Sequence, residues 1–352
     1  MPGKVRIGVI GAGWWATDYH IPGLQAEPDA ELVAVCDPHE GRLAEAARAY
    51  HLTRTYTDYR EMLDRERLDG AAIVTPHATH FSIASDCLDR GLHLLIEKPM
   101  TLTAQDARDL IQRAAAQQRE IMIGYTQHYF TPTLQARAAI RGGKIGEIQY
   151  VNSSFSSDVF GFLSGKVSPE NSPARYSVHG PSENYNRPEL LGGGQGHLQL
   201  THSTGLLFFV TGLRARRVQA LMNNHGQATD LVDAFSVAFE GGALGVVGGT
   251  GNAGGNPRMA LTVYGSEGCY LSDSLAHFDT LRNKAGLSLP LDTNGPAPYR
   301  YSVSRNFVEV IQGKAANLAP GEIGWRAVEL LDAAYRSARL NGQPVDVEDL
   351  YQ

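Results

Sequence analysis

Short apolar runs separated by amphipathic stretches dominate the first third of the chain. Val5–Ile10, Glu31–Cys36, Gly70–Val74, His93–Ile96 and Ile121–Gly124 are rich in β-branched and aliphatic residues and read as buried strands. Between them, residues 39–50, Tyr59–Leu68, Thr79–Arg90 and Thr103–Arg119 carry helical periodicity. Gly91 closes the third of these helices, and Thr103 with Asp106 has the spacing of an N-cap pair. Strand and helix alternate with short links, which predicts a doubly wound parallel sheet covered on both faces.

The pattern changes after Gly124. Gly146–Val151 opens a strand-rich region, and further strands are expected at Ala234–Glu240, Ala243–Gly248, Met259–Tyr264 and Cys269–Ser272. Consecutive strands linked by glycine turns such as Glu240-Gly241-Gly242 predict a largely antiparallel sheet, hence an α+β domain. Residues 156–191, rich in Ser, Pro, Asn and Tyr, read as a long loop of the kind that shapes a binding site. Residues 322–341 read as a final amphipathic helix. The expected division is a dinucleotide-binding domain over 1–124 and an α+β substrate-binding and oligomerisation domain over 125–352.

Length and composition narrow the function. With 352 residues, two domains with their own cores are affordable; 43% of the residues are hydrophobic and 19% charged. A net charge of -6 without basic runs argues against nucleic acid or an anionic membrane as partner. Cys36, Cys87 and Cys269 are scattered and form no C-x-x-C pair, which fits a reducing compartment. The first ten residues run straight into a strand and no apolar run approaches membrane-spanning length, so a cytoplasmic protein without a signal peptide is expected.

Candidate chemistry gathers at strand ends. Gly11-Ala12-Gly13-Trp14-Trp15-Ala16 is a G-x-G-x-x-A turn directly after the first strand. Its first glycine permits the tight turn, its second lets the backbone approach a pyrophosphate, and the small third residue allows close helix–strand packing. Asp37, at the tip of the second strand, can accept hydrogen bonds from the adenosine ribose and would repel a 2′-phosphate, which predicts NAD over NADP. Thr75-Pro76-His77 and Ile96-Glu97-Lys98-Pro99 end two later strands on the same sheet edge. A lysine buried there beside a cationic nicotinamide ring has its pKa pushed down, which suits proton transfer. In the second half, Gly192-Gly193-Gly194-Gln195-Gly196-His197 runs towards His202 and an apolar helix, leaving amide donors and imidazoles near a helix start. His197 and His202 are five apart and face different ways on a helix. His77 and His80 have a metal-like spacing but no accompanying Cys or carboxylate cluster, so no metal is expected.

Together these residues resemble the Gfo/Idh/MocA family of glucose-fructose oxidoreductase and inositol dehydrogenase-like enzymes. The resemblance rests on the glycine turn, Asp37, Thr75-Pro76-His77 with His80, Glu97-Lys98-Pro99, Gly124-Tyr125, the triple glycine 192–194, His202, and the tail Phe307–Gly313 and Ala333–Gly342. It implies a Rossmann NAD-binding domain and a β-sheet domain that mediates homo-oligomer contacts, as dimer or tetramer. It also implies a sugar, cyclitol or related polyol as substrate. Carried over residue by residue, it makes Gly11, Gly13, Trp14, Trp15, Asp37, Thr75, Pro76, His77, His80, Glu97 and Lys98 cofactor-binding candidates. Lys98 would orient the reactive hydroxyl and His202 would take its proton. Tyr125, His128, Tyr185, Gln199 and His202 are the candidate substrate contacts.

Three positions depart from the family pattern. The carboxylate common four residues before the histidine is Leu198 here, the acid often three residues after it is Gly205, and His77 stands where asparagine is typical. Gln199 or Gln195 is then the candidate for a neutral hydrogen bond in place of the acid. Three functions follow from the resemblance: a dehydrogenase acting on a secondary hydroxyl of a sugar, glycoside or cyclitol; a redox-neutral NAD-dependent glycosidase working through transient oxidation; and a non-catalytic NAD-dependent sensor. Retention of both Lys98 and His202 favours the first over the last, and the altered acid position bears on the second.

Overall fold

The computed structural model describes residues 3–166, 178–180, 183–291 and 299–352. Six strands form the first sheet: β1 (Val5–Ile10), β2 (Ala30–Cys36), β3 (Thr55–Tyr56), β4 (Gly70–Ile73), β5 (His93–Ile96) and β6 (Ile121–Ile123). They are parallel and ordered β3-β2-β1-β4-β5-β6. The order reverses between β1 and β4, and in open sheets of this kind the crevice at that switch point takes the ligand. β1, β4, β5 and β6 are buried almost throughout, as expected of strands covered on both faces. The cap expected at Thr103 is present: its hydroxyl accepts the Asp106 N–H at 3.2 Å and starts the helix Ala104–Ala116. β3 has two residues, too short to give a sequence signal.

Nine strands form the second sheet: β7 (Ile148–Ser156), β8 (Ala215–Asn223), β9 (Val232–Phe239), β10 (Leu244–Thr250), β11 (Arg258–Gly265), β12 (Gly268–Asp273), β13 (Phe278–Asn283), β14 (Ser288–Leu289) and β15 (Val345–Asp346). The order is β14-β13-β12-β11-β7-β10-β9-β8-β15, antiparallel except where β10 pairs with β7. Each central strand alternates between a buried and an exposed face. Val151, Val218, Phe235, Val247 and Leu261 face the helices, while Tyr150, Leu221, Leu244, Val246 and Tyr264 are left exposed.

Two helices join the layers. Thr201–Thr211 is apolar on every side, and all of its residues but His202 are buried. A helix of that composition must lie inside the molecule. Gly321–Arg339 packs on β8, on Thr201–Thr211 and on Ala104–Ala116, and its Asp332 carboxylate accepts the Ala104 N–H at 3.0 Å. Just before it, the chain returns to the first sheet, where Met122 bridges to Pro320 and Phe307 and Ile311 lie over Gly70. The first sheet's carboxyl edge is thereby set against the start of Thr201–Thr211. Within the 156–191 segment, short helices form at Phe160–Leu163 and Pro188–Leu191; residues 167–177 and 181–182 lie outside the described residues.

Candidate active site

The glycine turn leaves β1 in a conformation that only its sequence allows. Gly11 has φ of 103°, and a Cβ there would fall 2.2 Å from the Val74 carbonyl oxygen. A Cβ on Gly13 would instead project into open space, on the wall of a cleft of about 890 Å³. That gap is where a pyrophosphate can approach the backbone. Asp37 is buried at the same edge. One of its oxygens accepts the Ala12 N–H at 2.8 Å and lies 3.4 Å from Arg42 Nη1, and the other accepts the His39 N–H at 2.9 Å. The cleft runs from Asp37 past Gly13, Thr75 and Pro76 to Lys98 and His202.

Glu97 organises the far end. Its Oε1 accepts from Trp15 Nε1 at 2.8 Å and lies 2.8 Å from His20 Nε2, while Oε2 accepts the Lys98 N–H at 3.1 Å. Burial pushes this carboxyl up, but His20, Lys98 and Trp15 outweigh burial and hold it below the usual range. A Cβ on residue 124 would stand 2.3 Å from Glu97 Oε1, so glycine is required there for the carboxylate to sit where it does. Lys98 Nζ donates to the Leu198 carbonyl at 3.2 Å, across the cleft from the first sheet to the second layer. Burial lowers the Lys98 pKa, and the Glu97 charge opposes that. The lysine expected to carry the chemistry thus has its main-chain N–H on the Glu97 carboxylate and its ammonium on a main-chain carbonyl.

His202 lines the opposite wall. Its Nδ1 is buried without a hydrogen-bond partner among the described residues. Burial, with the Lys98 charge and His128 adding to it, holds the imidazole well below its usual pKa. It is a neutral base near neutral pH. At residue 205, a Cβ would meet the Tyr125 ring at 2.6 Å, so the acid looked for there is excluded by packing.

Of the residues singled out by sequence, Gly11, Gly13, Trp14, Trp15, Asp37, Thr75, Pro76, His77, Glu97, Lys98, Tyr185, Gln199 and His202 all line this one cleft. Trp14 Nε1 donates to the Tyr185 hydroxyl at 2.7 Å, tying the glycine turn to the far wall. His77 lies 3.1 Å from the Leu191 carbonyl through Nδ1, and burial, then His80, keeps it neutral. His80 is not on the wall: its ring lies 2.8 Å from the Pro99 carbonyl and 2.9 Å from that of Thr75, bracing the two strand-end loops.

Two expected substrate contacts are elsewhere. Tyr125 is buried against Gly205, with its hydroxyl 3.4 Å from Thr201 Oγ1. His128 stacks on Phe209 at 3.9 Å and lies 3.1 Å from the Leu318 carbonyl. Both side chains turn into the core, while Gly124, Thr126 and Gln127 line the cleft. Gln195 is likewise buried, donating to the Phe155 carbonyl at 2.7 Å, which leaves Gln199 as the cleft glutamine. Arg42, Arg60, Phe162 and His179 also line the cleft without having been singled out, and His20 supports it from behind. Among the described residues, no group of three His, Cys, Asp or Glu is arranged to hold a metal ion.

Residues 5–125 match the oxidoreductase family NAD-binding Rossmann fold of Gfo/Idh/MocA proteins, and residues 133–271 match the C-terminal domain of the same family. The dTDP-3,4-didehydro-2,6-dideoxy-alpha-D-glucose 3-reductase of Streptomyces antibioticus is 31% identical over 153 residues, 44% of this chain and 46% of the relative. The scyllo-inositol 2-dehydrogenase (NAD(+)) of Bacillus subtilis is 28% identical over 151 residues, 43% of this chain and 44% of the relative. The match thus spans less than half the length of either relative. Over nearly the whole chain the fold is that of the WlbA dehydrogenase from Bordetella pertussis, solved with NADH and UDP-GlcNAcA. The TM-score is 0.78 at 21% identity, covering 97% of this chain and 98% of the other. With both halves matched and the glycine turn, Glu97, Lys98 and His202 facing one cleft, the chain belongs to the Gfo/Idh/MocA family of oxidoreductases.

Proposed function

We propose that this protein is an NAD-dependent oxidoreductase that moves hydride between a secondary hydroxyl of a sugar, glycoside or cyclitol and the nicotinamide. The observation that carries this reading is the meeting of Lys98 and His202 in the cleft that also holds Gly13 and Asp37. The open space at Gly13 and the acid at the tip of β2 fit a dinucleotide, which when bound supplies the hydride acceptor or donor. The Asp37 carboxylate disfavours a 2′-phosphate, so NAD is the proposed form.

The residues supply orientation and proton transfer. Lys98, fixed by the Leu198 carbonyl and charged beside Glu97, donates to the substrate hydroxyl and polarises it. His202, held neutral, accepts the hydroxyl proton as the carbonyl forms, and returns it in the reverse direction. Phe162, Tyr185, Leu191 and Leu198 give the substrate end an apolar wall. That wall suits a sugar face or an aglycone, and it is the observation that favours a redox-neutral glycosidase as the second reading.

A panel of sugars, glycosides and cyclitols with NAD and NADP, read for both NADH and leaving-group release, separates the two. NADH formation supports the dehydrogenase; aglycone release without net NADH supports the glycosidase. Lys98→Met is expected to lower turnover about a hundredfold or more while NAD still binds. Full turnover in that variant would remove the proposal.

The uncovered face of the second sheet is the proposed contact between copies of the chain. Leu221 and Leu244 are 66% and 58% exposed there, beside Tyr150, Val246 and Tyr264. An apolar patch on a sheet face is a common association surface. Leu221→Glu with Leu244→Glu is expected to yield monomers by sedimentation; an unchanged mass would exclude this face. The free cysteines Cys36, Cys87 and Cys269 are compatible with the cytoplasm as the site of action.

A further inference from the structure

The Gly192–Gly196 run has a partner that its sequence does not reveal. The Gly194 N–H donates to Asp230 Oδ1 at 2.7 Å and the Gly196 N–H to Oδ2 at 2.8 Å. Between them the Gln195 N–H donates to the Asp230 main-chain carbonyl at 2.9 Å. The Tyr335 hydroxyl donates to Asp230 Oδ1 at 2.9 Å and accepts the His197 N–H at 3.3 Å. Four successive amides at the head of the helical run are thus taken up by one aspartate and one tyrosine distant in sequence. The first N–H groups of a helix have no intrahelical acceptor, and a carboxylate is the strongest partner for them.

The glycines are what let this clamp close. A Cβ on Gly193 would fall 2.1 Å from the Tyr335 hydroxyl, one on Gly196 2.5 Å from it, and one on Gly194 2.0 Å from the Asp230 carbonyl. Asp233 lies beside Asp230 in the buried layer. Burial and the Asp230 charge push the Asp233 carboxyl well above the usual range, which favours its neutral form beside Asp230. The Tyr335 phenol is likewise pushed up by burial and stays a donor. Directly after the last clamped amide, the Leu198 carbonyl holds Lys98; one turn further, His202 faces the cleft.

We propose that Asp230, with Tyr335, is a positioning residue that sets the Leu198 carbonyl against Lys98 and aims His202 into the cleft. The proposal rests on the reading of Lys98 and His202 as the pair that handles the substrate hydroxyl. Asp230→Asn replaces one acceptor oxygen by an NH₂ group facing amide donors, so the head of the helix shifts while the glycine turn that binds the dinucleotide is untouched. A displacement of about 1 Å at a reacting group costs on the order of a hundredfold in rate.

The test combines turnover with the chemistry of Lys98 in the free protein. With scyllo-inositol or a methyl glucoside and NAD, Asp230→Asn is expected to lower kcat about tenfold or more, while NAD affinity stays within about twofold. Tyr335→Phe keeps the ring under Gly193 and Gly196, so it folds, and is expected to lower kcat in the same direction by less. Labelling by fluorodinitrobenzene, read by mass spectrometry, is expected to modify Lys98 several-fold faster in Asp230→Asn than in the parent, with Lys284 as internal reference. An unchanged kcat together with unchanged Lys98 labelling overturns the proposal, as does a kcat loss matched by an equal loss of NAD affinity. Faster labelling with unchanged turnover would retain the clamp and remove the reading of Lys98 as part of the chemistry.

Discussion

Replacing Leu198 with aspartate puts a carboxylate four residues before His202, where the family resemblance leads one to expect an acid, and the consequence for His202 can be worked out. Leu198 and His202 are four residues apart on one helical run and both line the cleft, so their Cβ atoms are about 6 Å apart. At an effective dielectric of about 20, a unit charge at that distance favours the imidazolium by roughly 3 kcal/mol, or about two pKa units. His202 now lies well below the ordinary histidine value, with burial first and Lys98 second among the causes. The new charge would bring it back towards that value. With the neutral ring as the proton acceptor, as proposed above, a raised pKa costs activity as pH falls, so the acid limb of kcat/KM should move upward by about two units.

The substitution also has a packing cost. Leu198 is 6% exposed and packs with Val159, Leu163, Leu191 and Leu231, so deleting it should destabilise this wall by about 2–5 kcal/mol. Leu198→Asn shares that cost and lacks the charge, which makes it the control. The assay is the pH profile of kcat/KM for both variants, with an NMR titration of the His202 ring in the free protein. Identical acid limbs in the Asp and Asn variants, or a limb that moves downward with Asp, would refute the electrostatic reasoning.

Two further outcomes follow from the buried charges. Glu97→Gln removes the one charge that raises the Lys98 pKa, so the alkaline limb of kcat should move to lower pH; an unmoved limb would show that Lys98 is not the group titrating there. Acid stability tests the buried histidines. Burial lowers His128 to about 3 and His197 to about 4, both below the unfolded value of about 6.5. The unfolded chain therefore takes up protons first, and this stability is present above about pH 6.5 and lost as pH falls towards the folded values. The two together should cost roughly 3 kcal/mol between about pH 6.5 and about pH 5, read as a falling urea midpoint. A midpoint that is flat over that window would contradict their neutral burial.

How much of this was legible depended on the range of the interaction. β1, β2, β4, β5 and β6 were readable because a strand covered on both faces is a run of apolar residues, and the glycine turn is a local constraint fixed by neighbouring backbone. β8 was missed: its outward face carries Arg216, Arg217 and Gln219, which hide the alternation of Ala215, Val218 and Ala220. β14 and β15, like β3, have two residues each and gain their pairing from the sheet alone. In the site, strand-end residues were readable, but their partners were not. His20 meets Glu97 across 77 positions, and no periodicity signals such a pair. Tyr125 was misplaced because adjacent residues at a strand end turn to opposite sides: Gly124 and Thr126 face the cleft, and Tyr125 faces the core.

The two departures at 198 and 205 have a common structural logic that spacing alone did not disclose. At 205 the space belongs to the Tyr125 ring, so an acid there would need that core residue to move. At 198 the side chain builds the apolar wall while its main-chain carbonyl holds Lys98. Lys98 is then the charge that bears most on His202, and a cation beside an imidazole favours the neutral ring. In the mechanism proposed above, a base of that kind accepts a proton only as the substrate hydroxyl is itself polarised, and Lys98 would polarise it. On that proposal the lysine opposes the resting protonation of His202 and, through the substrate, drives the transfer to it, while the Glu97 charge, which raises the lysine's pKa, bears on both.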